Sequence, residues 1–209
     1  MSIRATKLYD YPFSGNGYKI RLALAQLELP FAYERVDILA GETRSEAFLR
    51  KNPNGEIPVL ALSDGTHLVE SNAILCWLTD GSRLMPVDSL ERAQVLRWMF
   101  FEQSNIDRVI GRARFCRTFP EVVEGFATER DFGLWTGMGN RTLGVLDGHL
   151  TARSFLVGER YSAADISVYG YVHVAEGGGF DLGRYPAVGA WLERVRSEDG
   201  HVSIDAIPA

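Results

Sequence analysis

A proline-led apolar segment, followed by a turn and a helix start, constrains this chain more than any other feature. Residues 57–60 read Ile-Pro-Val-Leu, and Asp64-Gly65 separates them from a second apolar run that ends in Glu70-Ser71. Asp-Gly between two apolar runs is a strong signal for a β-hairpin. Because Pro58 donates no backbone hydrogen bond, it belongs at the first position or on the edge of a strand. The sequence leaves open whether the bond before this proline is cis or trans.

Glu70 and Ser71 form a pair suited to an amino-acid head group. Ser71 begins a predicted helix over 71–79, where a hydroxyl, free backbone N–H groups and the positive end of the helix dipole attract a carboxylate. Glu70 offers a negative charge to an ammonium group. The plainer alternative is a helix cap preceded by a surface acid, and the preceding hairpin favours the functional interpretation.

The first 80 residues alternate between strand and helix patterns. A strand over 6–11 leads into a glycine-bearing loop at 12–17, after which apolar residues recur at helical spacing (Ile20, Ala23, Leu24, Leu27) with polar residues between them (Lys19, Arg21, Gln26). A second strand over 31–38, a short helix over 44–50, the hairpin and the helix over 71–79 follow. The βαβ unit requires a parallel pair with a right-handed crossover, and the hairpin requires an antiparallel pair. The sequence therefore predicts a mixed four-stranded sheet with helices on its faces.

The second part of the chain is helical throughout. Residues 81–88 show neither helical nor strand spacing of apolar residues and form the predicted linker. Helices are predicted from Ser89 to about Arg117, over 120–151, and on either side of 181–186. One helix start is specific: Ser162 and Asp165 fit a capping box, and Tyr161 and Ile166 fit the hydrophobic staple around it. The predicted domains are accordingly 1–80 and an all-helical 89–209.

This arrangement resembles the cytosolic glutathione transferases over nearly the whole chain, and in its first loop the theta-like and nu-like bacterial members. The resemblance rests on Ile-Pro-Val-Leu at 57–60, Glu70-Ser71, and Ser-Gly-Asn-Gly-Tyr-Lys at 14–19. It implies a thioredoxin-like domain that binds glutathione and an all-helical second domain. In that family the residue before a cis proline, here Ile57 before Pro58, pairs its backbone with the glutathione cysteine, and the Glu-Ser pair holds the γ-glutamyl end.

Such an enzyme needs a donor that keeps the glutathione sulfur ionised. Ser14 lies between the first strand and the first helix, where its hydroxyl would face a bound sulfur, and Asn16 offers an amide two residues later. The resemblance makes Ser14 the first candidate and Asn16 the second. Tyr9 and Tyr11 stay open as alternatives, because other classes of the family use a first-strand tyrosine. The plain alternative for Ser14 is an ordinary helix N-cap.

The glycyl end of glutathione has no standard partner in this sequence. Glu56 stands where some classes of the family carry a lysine before the proline pair. We therefore expect Arg44, Lys51 or Asn54 to hold the glycyl carboxylate. No cysteine lies in 12–19, so a mixed disulfide between glutathione and this loop is not expected.

The second substrate is expected against the first loop and the long helix after the linker. The candidates are Tyr11, Phe13, Arg108, Arg112 and Phe115. Arg108 and Arg112 lie four residues apart, so they share one helix face, where they would attract an anionic substrate or a partner subunit. A solvated surface is the alternative for the arginines, and core packing is the alternative for the aromatic residues.

Composition narrows the remaining possibilities. The chain has 209 residues and a net charge of −5, which argues against a nucleic-acid surface. The two cysteines and four histidines lack metal-ligand spacing, so no metal site is expected, and no cofactor beyond glutathione as co-substrate. No apolar stretch approaches membrane-spanning length, and a cytoplasmic, homodimeric protein without membrane partners is expected.

The predicted function is a transferase that attacks a small electrophile or peroxide with glutathione. A glutathione-dependent disulfide reductase and a non-catalytic binding or regulatory protein are the alternatives.

Overall fold

The computed structural model describes residues 4–208. Its sheet has the strands β1 (Ala5–Asp10), β2 (Ala32–Arg35), β3 (Val59–Leu62) and β4 (His67–Leu68), in the order β2-β1-β3-β4. β1 runs parallel to β2 and antiparallel to β3, and β4 returns antiparallel to β3. The sheet is therefore the mixed, four-stranded one that the sequence predicted, and the hairpin turns at Gly65 with a positive φ of 90°.

Helices α1 (Gly15–Gln26), α2 (Glu46–Leu49) and α3 (Ser71–Thr79) accompany the sheet. The predicted start of α3 at Ser71 is confirmed. The predicted short helix over 44–50 is a 3₁₀ turn at Glu42–Arg44 followed by α2. The second strand is shorter than the predicted 31–38.

The polar positions of α1 are not on a solvated face. Lys19 and Arg21 are 0% and 1% exposed, and Gln26 is also buried. At Arg21 the cover is a later segment of the chain: the guanidinium donates to the backbone oxygens of Ile204 (2.9 Å) and Ala206 (3.2 Å), which brings that segment onto the helix.

The second part of the chain contains helices α4 (Ser89–Phe101), α5 (Arg112–Thr118), α6 (Glu129–Leu150), α7 (Ala163–Val172) and α8 (Pro186–Arg196). A π-helical segment, Glu102–Gly111, joins α4 to α5, so the predicted long helix from Ser89 is continuous but not α throughout. Further 3₁₀ turns lie at Ala175–Gly178 and Leu182–Arg184.

The helix predicted from Pro120 was placed too early. It begins at Glu129 because Thr128 caps it: the Asp131 backbone N–H donates to the Thr128 hydroxyl, and the Asp131 carboxylate accepts from the Thr128 backbone. Gly125 has a positive φ of 76° in the preceding segment, which is incompatible with α-helix. The five glycines inside α6 do not end it.

The capping box at the start of α7 is confirmed and extends beyond local capping. Asp165 accepts from the backbone N–H of Ser162 and from its hydroxyl, both at 3.0 Å. The other carboxylate oxygen accepts from the Leu156 backbone at 3.0 Å and from the Trp191 indole at 2.9 Å. Burial raises the pKa of Asp165 to about 6, although these donors oppose the rise.

The chain forms two compact units. The first comprises the residues up to Ser82 together with the segment from Asp199 onward, and the second comprises Arg83–Glu198. The sequence predicted a first domain over 1–80, a linker at 81–88 and an all-helical domain over 89–209. The segment after Glu198 groups instead with the sheet-containing unit, because Arg21 and Tyr18 bind its backbone oxygens.

Candidate functional site

Three loops of the first unit open at the same edge of the sheet. β1 ends at Asp10, and Tyr9 near that end lies opposite Val59 at the start of the antiparallel β3. β4 ends at Leu68, which lies opposite Leu60 in the same region of β3. The loop after β1, the segment before β3 and the segment after β4 are thereby brought together. These are the segments that carry Ser14, Ile57-Pro58 and Glu70-Ser71.

Ser14 is the N-cap of α1. Its hydroxyl oxygen accepts a hydrogen bond of 3.0 Å from the backbone N–H of Gly17. A hydroxyl accepts and donates at the same time, so this capping bond leaves the Ser14 proton available to another acceptor. The accepted bond also polarises the O–H group and strengthens it as a donor. Capping and sulfur binding are therefore compatible roles.

The start of α1 contacts the start of α3 through side chains. The Ser71 hydroxyl donates to Oδ1 of Asn16 across 3.0 Å. The ammonium of Lys19 also donates to Asn16 Oδ1, at 2.8 Å, and lies 3.4 Å from the Ser71 hydroxyl oxygen. The second candidate for sulfur binding and a candidate for carboxylate binding thus belong to one hydrogen-bonded cluster.

Glu70 occupies an unusual backbone conformation at the N-cap of α3. Its φ is 69° and its ψ is 109°, in a region that residues with a side chain rarely adopt. Its side chain is exposed, so burial does not explain the residue. Backbone outliers of this kind cost about 1–3 kcal/mol and cluster at functional sites. Within the residues that the structure describes, Glu28 is the other non-glycine residue with a positive φ, at 53°.

The Ile57–Pro58 peptide bond is cis, which settles the question that the sequence left open. Ile57 precedes β3 and packs against a core cluster formed by Val36, Phe48 and Val59. This packing ties α2 to the sheet through Phe48 and holds the backbone before the proline.

Arg44 and Asn54 are brought together, but by a structural bond. The Arg44 guanidinium donates to the Asn54 backbone oxygen at 2.9 Å, which braces the loop before the cis proline. Lys51 lies apart from this bond: its ammonium donates to the Ala47 backbone oxygen and lies 5.2 Å from the centre of the Tyr9 ring. Arg44 and Asn54 are exposed.

The aromatic candidates of the first unit lie next to one another. The rings of Tyr11 and Phe13 are 6.2 Å apart. Tyr11 is buried, while Phe13 is 47% exposed and presents apolar surface. Tyr9 packs against the core cluster beneath the site, so its position fits packing better than sulfur binding.

The remaining second-substrate candidates belong to the second unit. Arg108 lies in the π-helical segment and Arg112 begins α5; both are exposed. The Arg112 guanidinium lies 5.8 Å from the ring centre of Phe126. Phe115 packs against Phe119, with 5.3 Å between ring centres, so its ring is partly engaged inside the unit.

Over residues 4–208, no group of three or more His, Cys, Asp or Glu side chains is arranged to hold a metal ion. Within the same range, no helix combines the length and the apolar character needed to cross a membrane.

Three buried charged residues around this site escaped the sequence analysis. Asp10 and Arg21 form an ion pair of 3.1 Å, and Lys19 joins the starts of α1 and α3. Polar residues between apolar helix positions usually face solvent, so the pattern alone did not separate them from a surface. One sequence signal could have indicated their role: Lys19 and Arg21 stand close together directly after the candidate loop.

This fold and this site define the class of protein. The glutathione S-transferase N-terminal domain model matches residues 13–80, and the glutathione S-transferase C-terminal domain model matches residues 120–194. The chain belongs to the glutathione S-transferase family.

The relatives agree with this assignment. A glutathione S-transferase from Pseudomonas fluorescens Pf-5 is 48% identical, with a TM-score of 0.91 over 95% of this chain and 98% of that chain. A second family member from that organism, solved with two glutathione bound, is 28% identical with a TM-score of 0.80, over 95% of this chain and 89% of that one. The disulfide-bond oxidoreductase YfcG of Escherichia coli is 33% identical over 202 residues, 91% of this chain and 89% of that protein.

Proposed function

We propose that this protein is a glutathione transferase that ionises the thiol of glutathione and directs it at a small electrophile or peroxide. The observation that carries the proposal is the hydrogen bond between Ser71 and Asn16. It joins a donor for the sulfur and a donor for the γ-glutamyl carboxylate at the two helix starts. A tripeptide with a thiol and an amino-acid head group suits this pairing.

The energy needed for ionisation is within reach of these donors. A free thiol with a pKa near 8.5 is only about 3% ionised at neutral pH. Lowering that pKa by about two units requires about 2.7 kcal/mol. One hydrogen bond to a charged group supplies about 1.5–3 kcal/mol, and a helix N-terminus adds about 0.3–1 kcal/mol. Ser14 is the proposed main donor, with Asn16 as the second.

The head group of glutathione has a proposed partner for each charge. The N-terminus of α3, with the backbone N–H and hydroxyl of Ser71, attracts the γ-glutamyl carboxylate. The exposed Glu70 carboxylate attracts the ammonium. The backbone of Ile57, before the cis Pro58, is proposed to pair with the cysteine residue of glutathione.

The glycyl carboxylate is proposed to meet Arg44 or Lys51. One guanidinium nitrogen of Arg44 is engaged by the Asn54 backbone oxygen, and an arginine has five N–H donors, so others remain for a carboxylate. Asn54 contributes mainly by holding Arg44 in place.

The second substrate is proposed to contact Tyr11 and the exposed ring of Phe13. Arg108, Arg112 and Phe115 stay as candidates in the second unit, where the two exposed guanidinium groups favour an anionic substrate.

We assign the glutathione site to a domain over about 1–80 and treat the helical unit as a second domain. A cytoplasmic homodimer with a role in detoxification is the assembly and setting that we propose.

A glutathione-dependent disulfide reductase is the second candidate. It is favoured by the E. coli relative, which is a disulfide-bond oxidoreductase, and by the position of Asn16. In this reaction one glutathione thiolate attacks the substrate disulfide and a second glutathione resolves the mixed disulfide. Oxidised glutathione and two substrate thiols result. No protein cysteine within 12–19 is needed.

The test combines binding and turnover. Calorimetry with glutathione is followed by assays with chlorodinitrobenzene, an organic hydroperoxide and a small disulfide. Binding with turnover of the first two supports the transferase, and turnover of the disulfide alone supports the reductase. Binding without any turnover favours a non-catalytic binding or regulatory protein, and absence of binding overturns every glutathione proposal. Ser14→Ala and Asn16→Ala are compared by thiolate absorbance of the bound ligand, with Ser63→Ala as a control outside the site.

A further inference from the structure

Lys19 is a fully buried cation beside the candidate sulfur site. Its side chain is 0% exposed, and its partners include Asn16 Oδ1 at 2.8 Å and the Ser71 hydroxyl oxygen at 3.4 Å. Removing an ammonium from water is costly unless fixed acceptors replace the water. A methionine or leucine would fill such a position without that cost. The buried charge therefore calls for a functional explanation.

Lys19 determines which way the Asn16 amide faces. An ammonium only donates hydrogen bonds, so the atom of Asn16 that faces it must be the carbonyl oxygen. The same oxygen accepts from Ser71 at 3.0 Å. The NH₂ group consequently lies on the other side of the carboxamide. Asn16 can then act only as a donor in that direction, as a negatively charged sulfur requires.

The Ser71 hydroxyl has one proton to donate and, with glutathione bound, two possible acceptors. In this structure its hydroxyl donates to Asn16, whereas a bound γ-glutamyl carboxylate would also accept from it. When the hydroxyl turns toward the carboxylate, Asn16 loses one of the donors that fix its amide. Lys19 continues to donate to Asn16 and is also placed to donate to the Ser71 oxygen. The cation therefore keeps the amide oriented while the head group binds.

We infer that Lys19 is a positioning residue, which holds Asn16 as a donor toward the glutathione sulfur and links that donor to the head-group site at Ser71. This inference rests on the proposed function. Lys19 itself does not touch the substrate; it acts through the two side chains that do.

Lys19→Met tests the inference, because methionine matches the length and removes both charge and donors. The first readout needs no glutathione: the side-chain amide NMR signals of Asn16, assigned with Asn16→Ala, should shift and broaden in K19M. The second readout is the pKa of the bound glutathione thiol, from thiolate absorbance against pH. It should rise by about one unit, and the pH at half-maximal rate should rise with it. Lys7→Met is the control: Lys7 is partly exposed and pairs with Glu34 at 2.7 Å, away from Asn16 and Ser71.

A double variant separates positioning from a merely structural role. If Lys19 acts through Asn16, N16A/K19M should ionise the bound thiol no worse than N16A alone. Lys19→Arg, which restores the charge and the donors, should recover most of the wild-type thiolate fraction. Full additivity of the two losses, or unchanged Asn16 signals in K19M, would overturn the inference.

Asn16→Asp provides a test that leaves Lys19 intact if K19M does not fold. Aspartate keeps an oxygen for Lys19 but turns the NH₂ group into a second oxygen. A bound thiol pKa raised beyond that of N16A is expected, and a pKa equal to that of the wild type would overturn the inference. A wild-type protein that binds no glutathione overturns the proposed function, whereas the ligand-free Asn16 signals still decide whether Lys19 orients the amide.

Discussion

Arg21 and Asp10 form an ion pair across 3.1 Å inside the first unit, with side-chain exposures of 1% and 0%. The same guanidinium donates to the backbone oxygen of Pro12 at 2.8 Å and to those of Ile204 and Ala206. Burial raises the pKa of Asp10, and the charge of Arg21 opposes that rise. One side chain therefore joins the end of β1, the loop before Ser14 and the C-terminal segment.

Replacing Arg21 by methionine should destabilise the protein by about 3–5 kcal/mol, because it leaves the Asp10 charge buried without its partner. The free energy of unfolding, from urea denaturation, measures the loss. D10N/R21M should be more stable than R21M, since it removes the orphaned charge. Equal stability of the two variants would contradict this account.

Gly17→Ala should destabilise the first unit by about 2–4 kcal/mol. A Cβ at this position would lie only 1.6 Å from an Asp10 carboxylate oxygen, and Arg21 restrains that carboxylate. Thermal unfolding provides the measurement. Gly144→Ala is the matched control: it also lies inside a helix, nothing lies within 4 Å of its added Cβ, and it should stabilise α6 by about 0.5–1 kcal/mol. A G17A variant as stable as the wild type would show that the carboxylate can move aside.

Glu70→Gly should separate stability from binding. Glycine adopts the observed φ of 69° without strain, so stability should be kept or raised by about 1 kcal/mol. Loss of the partner for the glutathione ammonium should weaken binding by about 10- to 100-fold, measured by calorimetry.

Glu28→Gly is the control for that variant, with a φ of 53°. It should gain similar stability and bind glutathione like the wild type. Unchanged glutathione affinity in E70G would remove Glu70 from the proposed site.

Asp165 predicts a stability that depends on pH. In the folded state the pKa of Asp165 is about 6, above its ordinary value of 3.8. Between pH 3.8 and pH 6 the folded protein therefore keeps a proton on this carboxyl, whereas the unfolded chain has lost it. Stability from this group is therefore greatest near pH 4 and declines as pH rises through 6.

Asp165→Asn removes this titration. The free energy of unfolding of the wild type relative to that of D165N should fall by up to about 3 kcal/mol from pH 4 to pH 7. Denaturation of both proteins at each pH measures this difference. A difference independent of pH would mean that Asp165 titrates normally in the fold.

Much of the architecture follows from local sequence signals. The hairpin at Asp64-Gly65, the helix start at Ser71 and the Ser162–Asp165 capping box each depend on chemistry within a few residues, and all three are present. The predicted start of α6 was wrong. Thr128 and Asp131 form a capping box there, and the nearby glycines made that helix start difficult to recognise from the sequence.

The site was predictable only in part, because its supports come from distant residues. The placement of Ser14 and Ser71 at helix starts follows from the local pattern. The burial of Lys19 depends on α3, 52 residues away, and that of Arg21 on a segment more than 180 residues later. The spacing of polar residues along α1 is the same whether water or another part of the chain covers them, so the sequence alone could not identify this cover.

The return of residues 204–206 to Arg21 has a consequence for biosynthesis. Domains generally fold in order as the chain leaves the ribosome, yet the sheet-containing unit lacks part of its covering until the helical unit has been translated. Newly made chains should thus hold an incomplete sheet-containing unit, in which the Arg21 guanidinium still lacks the Ile204 and Ala206 carbonyl partners. Acquisition of ligand binding should follow the emergence of residues 204–206 rather than that of α3.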